Sequence, residues 1–368
     1  MNSDIRLVDV PVISSLDDPE HGWKYHAIEM IESISYKELM EHTDEVETAH
    51  ELMVSRANET KTIKHWVLAL RGPDDNEQAV VGWAKVALQI LDNQDKAEIW
   101  VCVPPDQRQQ GVGTLLSSWC EDLVAQSGRN LVMAWVLYTA SDEGPPYLQA
   151  PDGTLVPCTP PRIQFLIHRG YDIALVERRS VLAVPMDPDL SSQLMDAALP
   201  STQGYRLHTW SGDIPEEWLE SFCHLMAVFS LDAPMGTIDW EEEKITPDIV
   251  RRQLQDLKDK DNSYLITVAE DCATGELVGC TELRWPNEAT CRAVEQWTTI
   301  VLRAHRGHRL GMWMKLTNLA AMIRLRPDTE RVFTYNAEQN SPMLAINVAM
   351  GFSSDGGVAF MKKSVDSG

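Results

Sequence analysis

Arg108, Gln109, Gln110, Gly111, Val112 and Gly113 join an apolar run ending Val103–Pro104 to a segment with Leu115, Leu116, Trp119 and Leu123 at helical spacing. A strand-to-helix corner of this kind turns free backbone N–H groups, and the positive end of the helix dipole, towards one spot. Glycines let an anion approach the backbone closely, so a diphosphate is the matching ligand. The spacing is neither GxxxxGK(S/T) nor GxGxxG, which sets aside nucleoside triphosphate hydrolysis and dinucleotide binding. Taken alone, six residues also fit an ordinary structural turn.

The surrounding pattern occurs twice. Residues 97–105 read as a buried strand, 106–128 as the turn and an amphipathic helix, and 131–138 as a second strand. Further on, 294–302, 303–311, 312–325 and 331–336 repeat strand, turn, helix and strand. Each unit closes with a short helix stopped by glycine and an aromatic, at 163–171 and 343–352. A helical region precedes each unit, roughly 26–57 and 214–260, followed by a strand pair around a turn. The interval from Arg108 to Gly170 exceeds that from Arg306 to Gly351 by about the length of the Pro/Gly-rich run 141–161, so the first copy carries an insertion. Residues 185–204 hold one short helical pattern between prolines and read as a linker. The expected organisation is a mixed α/β fold (α+β, mixed sheet) present twice, at 1–184 and 205–368.

Composition bounds the partners. The 368 residues are 44% hydrophobic and 24% charged, as in globular domains, with a formal net charge of −23. Such acidity argues against nonspecific nucleic-acid or anionic-membrane binding, and it favours cationic small molecules as much as it serves solubility. No apolar run is long enough for a membrane span, and the N-terminal residues lack a signal-peptide pattern. Seven cysteines lie without CxxC pairs or zinc-finger partners, so reduced thiols in the cytoplasm are expected, and no metal.

With its flanking strand, amphipathic helix, preceding meander and closing Gly–Tyr or Gly–Phe helix, the RxxGxG turn resembles the diphosphate-binding motif of the GNAT superfamily of N-acetyltransferases. The resemblance spans roughly 25–184 and 205–363. The tandem plan is similar to that of mycothiol synthase, and the wording around HRGHRLG, Asn336, Asn340 and INVAMGF resembles a large group of actinobacterial tandem GNAT proteins. The resemblance implies two acyl-CoA N-acyltransferase domains and a cytoplasmic enzyme, monomeric or homodimeric. It would use acetyl-CoA as co-substrate to acetylate a small-molecule amine by direct attack in a ternary complex. A catalytically inactive acyl-CoA-binding protein and a protein-lysine acetyltransferase are the alternatives.

Carried over by position, the resemblance implies that the backbones of Cys102 and Val103, and of Ile300 and Val301, contact the pantetheine arm and thioester. The diphosphate would rest on Arg108, Gln109, Gln110, Gly111, Val112, Gly113 and Thr114. In the second copy the corresponding set is Arg306, Gly307, His308, Arg309, Leu310 and Gly311, where Arg309 replaces the motif's first glycine. Asn336 and Asn340 match asparagines that help bind the cofactor and cap the helix. The family's usual tyrosine acid is missing, with Leu166 and Asn347 in its place; Tyr138 and Tyr335 are candidate acids, and Tyr147 lies in the insertion. Glu98, Glu295 and Glu282 are candidate bases, each also readable as a surface glutamate. The acidic stretch 41–53, read as a helix, falls where the acceptor pocket is lined, and 141–161 is placed to form a lid.

Overall fold

The protein is described from a computed structural model covering residues 4–142 and 144–365. In the first half, β1 (Ile5–Asp9) precedes α1 (Gly22–Met40) and α2 (Ala49–Ala57), and alternating apolar residues then build β2 (Thr62–Arg71), β3 (Val80–Gln89) and β4 (Lys96–Cys102). These strands form an antiparallel meander with Leu68 opposite Trp83 and Trp83 opposite Cys102. After α3 (Val112–Gln126), β5 (Leu131–Thr139) runs parallel to β4. The 141–161 insertion folds into a hairpin of β6 (Tyr147–Gln149) and β7 (Leu155–Pro157), followed by α4 (Pro161–His168) and β8 (Asp172–Ala183).

The second half repeats the plan. α5 (Pro188–Ala198) and β9 (Tyr205–Trp210) lead to α6 (Glu216–Asp232) and α7 (Pro247–Asp259). Then come β10 (Asn262–Asp271), β11 (Glu276–Pro286) and β12 (Ala293–Val301), all antiparallel. α8 (Leu310–Leu325), β13 (Arg331–Ala337), α9 (Ser341–Met350) and β14 (Ser353–Ser364) complete the chain, with β13 parallel to β12. The mixed α/β class expected from the sequence is the fold observed.

Each sheet is covered by helices on both faces. In the first half Tyr25, Ile28 and Ile31 of α1 and Leu52 of α2 bury Trp66, Leu68 and Trp83 on one face. On the other face α3 approaches so closely that a Cβ at Gly82 would stand 3.0 Å from Val112 and 3.1 Å from the Cys102 carbonyl. Gly279 plays the same part beneath α8, where a Cβ would lie 2.9 Å from the Ile300 carbonyl and from Met314. A strand glycine here serves close approach, a need that recurs at matching places in both halves.

Two features differ from the sequence expectation. The chain separates into one unit of Met1–Leu175, Thr237–Trp240 and Ala359–Gly368, and a second of Val176–Gly236 and Glu241–Val358, rather than at 184 and 205. In the second unit β8 pairs antiparallel with β13, Leu182 opposite Val332. In the first unit the end of β14 lies beside β5, with Phe360 packed 5.2 Å from Trp135, Lys363 Nζ donating to Glu121 at 2.9 Å and Val365 N–H donating to the Asn130 carbonyl. Each unit thus takes its closing strand from the other copy's sequence. The stretch expected as a linker is also more than a tether, since Leu190, Leu194 and Ala198 of α5 join the core around Leu316 and Met322.

The second difference is that residues 41–53 are not one helix. α1 ends at Glu41 in a left-handed conformation (φ 64°), and α2 starts afresh after Thr48. Thr48 and Glu51 form a reciprocal capping box that stabilises a new start there.

Candidate functional site

The two strand-to-helix corners have nearly the same backbone. Before α3, Gln109 (φ 60°) and Gly111 (φ 81°) are left-handed; before α8, Gly307 (φ 86°) and Arg309 (φ 55°) are. Neither helix has a side-chain N-cap, whereas α2, α7 and α9 do. First-turn amides have no intrahelical acceptor, so Val112–Thr114 and Leu310–Met312 present donors at the end carrying partial positive charge. Such an arrangement of donors suits an anion. Gly113 and Gly311 sit beneath the closing helices, where a Cβ would stand 3.5 Å from Phe165 and 3.2 Å from Ile346.

The motif arginines brace these corners. Arg108 Nε donates to the Val103 carbonyl at 3.0 Å, and Arg306 Nε donates to the Val301 carbonyl at the same distance. Their guanidinium groups also reach back to the first long helix of each half. Arg108 pairs with Glu38 at 2.7 Å, while Arg306 and Arg303 share the largely buried Asp232 at 2.8 and 2.6 Å. His305 hydrogen-bonds Tyr205 at 3.0 Å and the His308 ring lies 5.4 Å from the same tyrosine; His308 and Arg309 are exposed. Among the described residues, no group of three or more His, Cys, Asp or Glu side chains is arranged to hold a metal ion.

Beside each corner the parallel strands part. β4 and β5 pair only from Lys96–Leu131 to Ile99–Ala134, and β12 and β13 only from Ala293–Arg331 to Glu295–Phe333. Beyond those points Trp100, Val101 and Cys102, and the β12 residues from Trp297 onward, have strand edges open to a ligand's amides, the Gln296 carbonyl being taken by the Thr334 hydroxyl at 3.0 Å. The second copy adds an irregularity. The β11–β12 register slips between Thr281 and Leu283, so β12 carries one extra residue, and the Gln296 side chain donates from Nε2 to the Glu282 backbone carbonyl at 2.7 Å. Cys102 opposite Trp83, and Ile300 opposite Cys280, therefore occupy matching places despite the bulge.

Strand alternation sorts the acid and base candidates. Glu98 is opposite Met133, which puts Tyr138 on the other face of β5, where it is buried. Glu98 and Tyr138 are thus not brought together; Glu98 accepts from Gln89 at 3.1 Å. In the second copy Glu295 is opposite Phe333, and Tyr335 shares that face, in edge contact with Phe333. Glu282 is buried and held by Arg284 at 2.6 Å, and the Arg284 guanidinium lies 4.4 Å from the Trp297 ring centre. Asn340 caps α9 by accepting from the Met343 amide. Tyr147 is exposed on β6. Asp142, at the base of the hairpin, accepts from the Thr139 amide and pairs with Arg162.

Two groups escaped the sequence reading. Glu32 of α1 faces Lys85 and Trp100, the first β4 residue beyond the strand pairing. Burial pushes its carboxyl up to about 7, Glu47 adds to this, and Lys85 and the Trp100 indole act against it. The Lys85 ammonium itself lies 5.8 and 5.7 Å from the Trp83 and Trp100 rings. In the second copy Lys315 donates to Asn347 Oδ1 at 2.8 Å, and Asn347 Nδ2 donates to Asn336 Oδ1 at 2.7 Å. Both Glu32 and Lys315 are charged residues set into apolar helical stripes, beside Ile28 and Ile31 and beside Leu319 and Met322. That placement was the available signal.

A corner of uncapped amides beside two parting parallel strands, at the end of an antiparallel meander, defines the GNAT class of fold. The chain contains that fold twice in tandem. No protein-family model and no curated protein matches it by sequence. Among solved structures it is similar to a tandem GNAT protein from the clavulanic acid biosynthesis pathway, solved without acetyl-CoA, with a TM-score of 0.75, 22% identity and 98% of both chains covered. It is also similar to a GCN5-related N-acetyltransferase from Sphaerobacter thermophilus (TM-score 0.58, 12% identity, 98% of this chain and 95% of that one). A GCN5-related N-acetyltransferase from Kribbella flavida aligns at a TM-score of 0.50 and 13% identity, over 99% of this chain and 72% of that one.

Proposed function

We propose that the protein is an acyl-CoA-dependent N-acyltransferase that acetylates a small cationic amine, with the chemistry in the first copy. The observation that carries this reading is the corner of uncapped amides at Val112–Thr114 next to the parted ends of β4 and β5. The corner would hold the diphosphate and the open edge of β4 the pantetheine arm, while acetyl-CoA supplies an activated acyl carbon. Backbone amides along that edge would stabilise negative charge on the acyl oxygen.

Glu32 supports placing the chemistry here. An amine nitrogen that gains an acyl carbon must lose a proton, and a carboxylate tuned to about 7 is suited to receive it near neutral pH. The fully buried Trp66 and Trp83 build a rigid apolar wall behind Lys85 and Trp100. The chain's charge of −23 favours the approach of a cation.

A second reading, acyl-CoA binding without turnover, draws on Leu166, a buried hydrocarbon where the family's tyrosine acid would stand. Steady-state appearance of free thiol from acetyl-CoA across a panel of primary amines separates the two. Amine-dependent thiol release supports the enzyme. Measurable acetyl-CoA binding with thiol release at background for every amine supports the second reading, and absence of any acetyl-CoA binding sinks both.

A further inference from the structure

Lys315 is only 2% exposed and lies on α8, five positions beyond the residue that starts the helix. Its Nζ meets Asn347 of α9 at 2.8 Å and lies 5.5 Å from the Phe352 ring centre. Burial alone lowers its ammonium to about 7, with no carboxylate contributing. A lone cation in such a place is costly, and an apolar core would do without it. The first copy has no ion here: the matching positions are Ser117 on α3, Leu166 on α4 and Val136 on β5, all buried.

The hydrogen-bond chain has a direction. While Lys315 is protonated its ammonium only donates, so Asn347 turns its oxygen to Lys315 and its NH₂ to Asn336. Asn336 then spends its oxygen on Asn347 and is left with its own NH₂. Asn336 is half-buried on β13, three residues past the last pairing with β12, while its backbone pairs on the other side with Arg178 of β8. It therefore sits at the opening between β12 and β13 as an amide donor.

We infer that Lys315 is a positioning residue that, through Asn347, fixes Asn336 as a hydrogen-bond donor to an amide carbonyl of an acyl-CoA arm entering between β12 and β13. This makes the second copy an acyl-CoA site in its own right. The inference rests on the acyl-CoA reading above. Without Lys315, either asparagine can flip, and the donor at the opening loses its definition.

The test is calorimetric titration of the full chain with coenzyme A and with 3′-phosphoadenosine 5′-diphosphate, which keeps the diphosphate and lacks the arm. The variants are Lys315→Met and the double variant Lys315→Met/Asn347→Leu, which replaces both polar side chains with apolar ones and guards against misfolding. At one site, coenzyme A affinity should fall about tenfold in both variants, while the armless nucleotide binds as before. Unchanged coenzyme A affinity in the folded double variant overturns the inference. So does an equal loss for both ligands, which marks general damage rather than a lost contact to the arm. If the unmodified chain binds neither ligand, the acyl-CoA reading itself falls.

Discussion

At the corner before α3 the second left-handed residue is Gly111; before α8 it is Arg309, and the glycine stands two positions earlier as Gly307. Away from the corners the polar groups also differ. The first copy buries Glu32 against the face of the sheet that carries Trp100, while the second buries Lys315 beneath α8 and ties it to two asparagines. Identical braces, Arg108 to Val103 and Arg306 to Val301, give both copies the same backbone frame while the side chains around it differ. A frame held by carbonyls, glycines and helix ends leaves its side chains free to vary. The difference teaches that the copies should be judged by what they bury near the opening, rather than by how well each matches a glycine motif.

The comparison is broken most severely at Glu32. Glu32→Gln should lower kcat by about 100-fold or more, while the equivalent loss of charge at Glu295 should cost far less; initial rates with the best amine measure both. On the proposed reading, the unmodified protein should gain kcat as pH rises and level off above about 7, where the carboxyl is ionised. The same group affects stability with the opposite slope. Its folded pKa of about 7 lies above the ordinary carboxyl value of 4.5, so the folded state holds the extra proton between about 4.5 and 7 and stability falls as pH rises through that window. Glu32→Gln should flatten this dependence, by on the order of 2 kcal/mol in denaturant titrations at pH 4.5 and 7.

The shared frame is probed by the strand glycines. Gly82→Ala and Gly279→Ala should each destabilise by about 1–3 kcal/mol through overpacking. Gly279→Ala should be the worse, because its new methyl meets a backbone oxygen and Met314 both at 2.9 Å. A thermal melt in which only one substitution matters would show that the helices do not press on both sheets alike. The smallest effect concerns Arg309. Arg309→Gly relieves a left-handed side-chain residue and should stabilise the second unit by about 1 kcal/mol. If coenzyme A binding weakens at the same time, the exposed guanidinium contributes to the anion site.

The corners were legible in the sequence because everything that makes them is local: an apolar run, a glycine, then a helical stripe. Face assignments were less so. Glu98 and Tyr138 each qualify by residue type, yet an odd number of steps from Met133 to Tyr138 puts them on opposite sides of the sheet. The bulge in β12 is a register slip against β11, which no single strand's pattern reveals. Capping chemistry decided the 41–53 stretch, where Thr48 with Glu51 outweighed the helix-forming glutamates before it. The exchange of closing strands lay beyond local pattern altogether, because nothing in the residues of the strands at 172–183 and 353–364 says which sheet receives them.

That exchange fixes an order of events in the cell. β5 is synthesised long before residues 359–364, and the whole second copy is made in between. Until then the side of β5 that will receive those residues has a row of unpaired backbone groups, the kind of edge that recruits stray strands. A nascent first unit must wait, incomplete, for the ribosome to finish its twin.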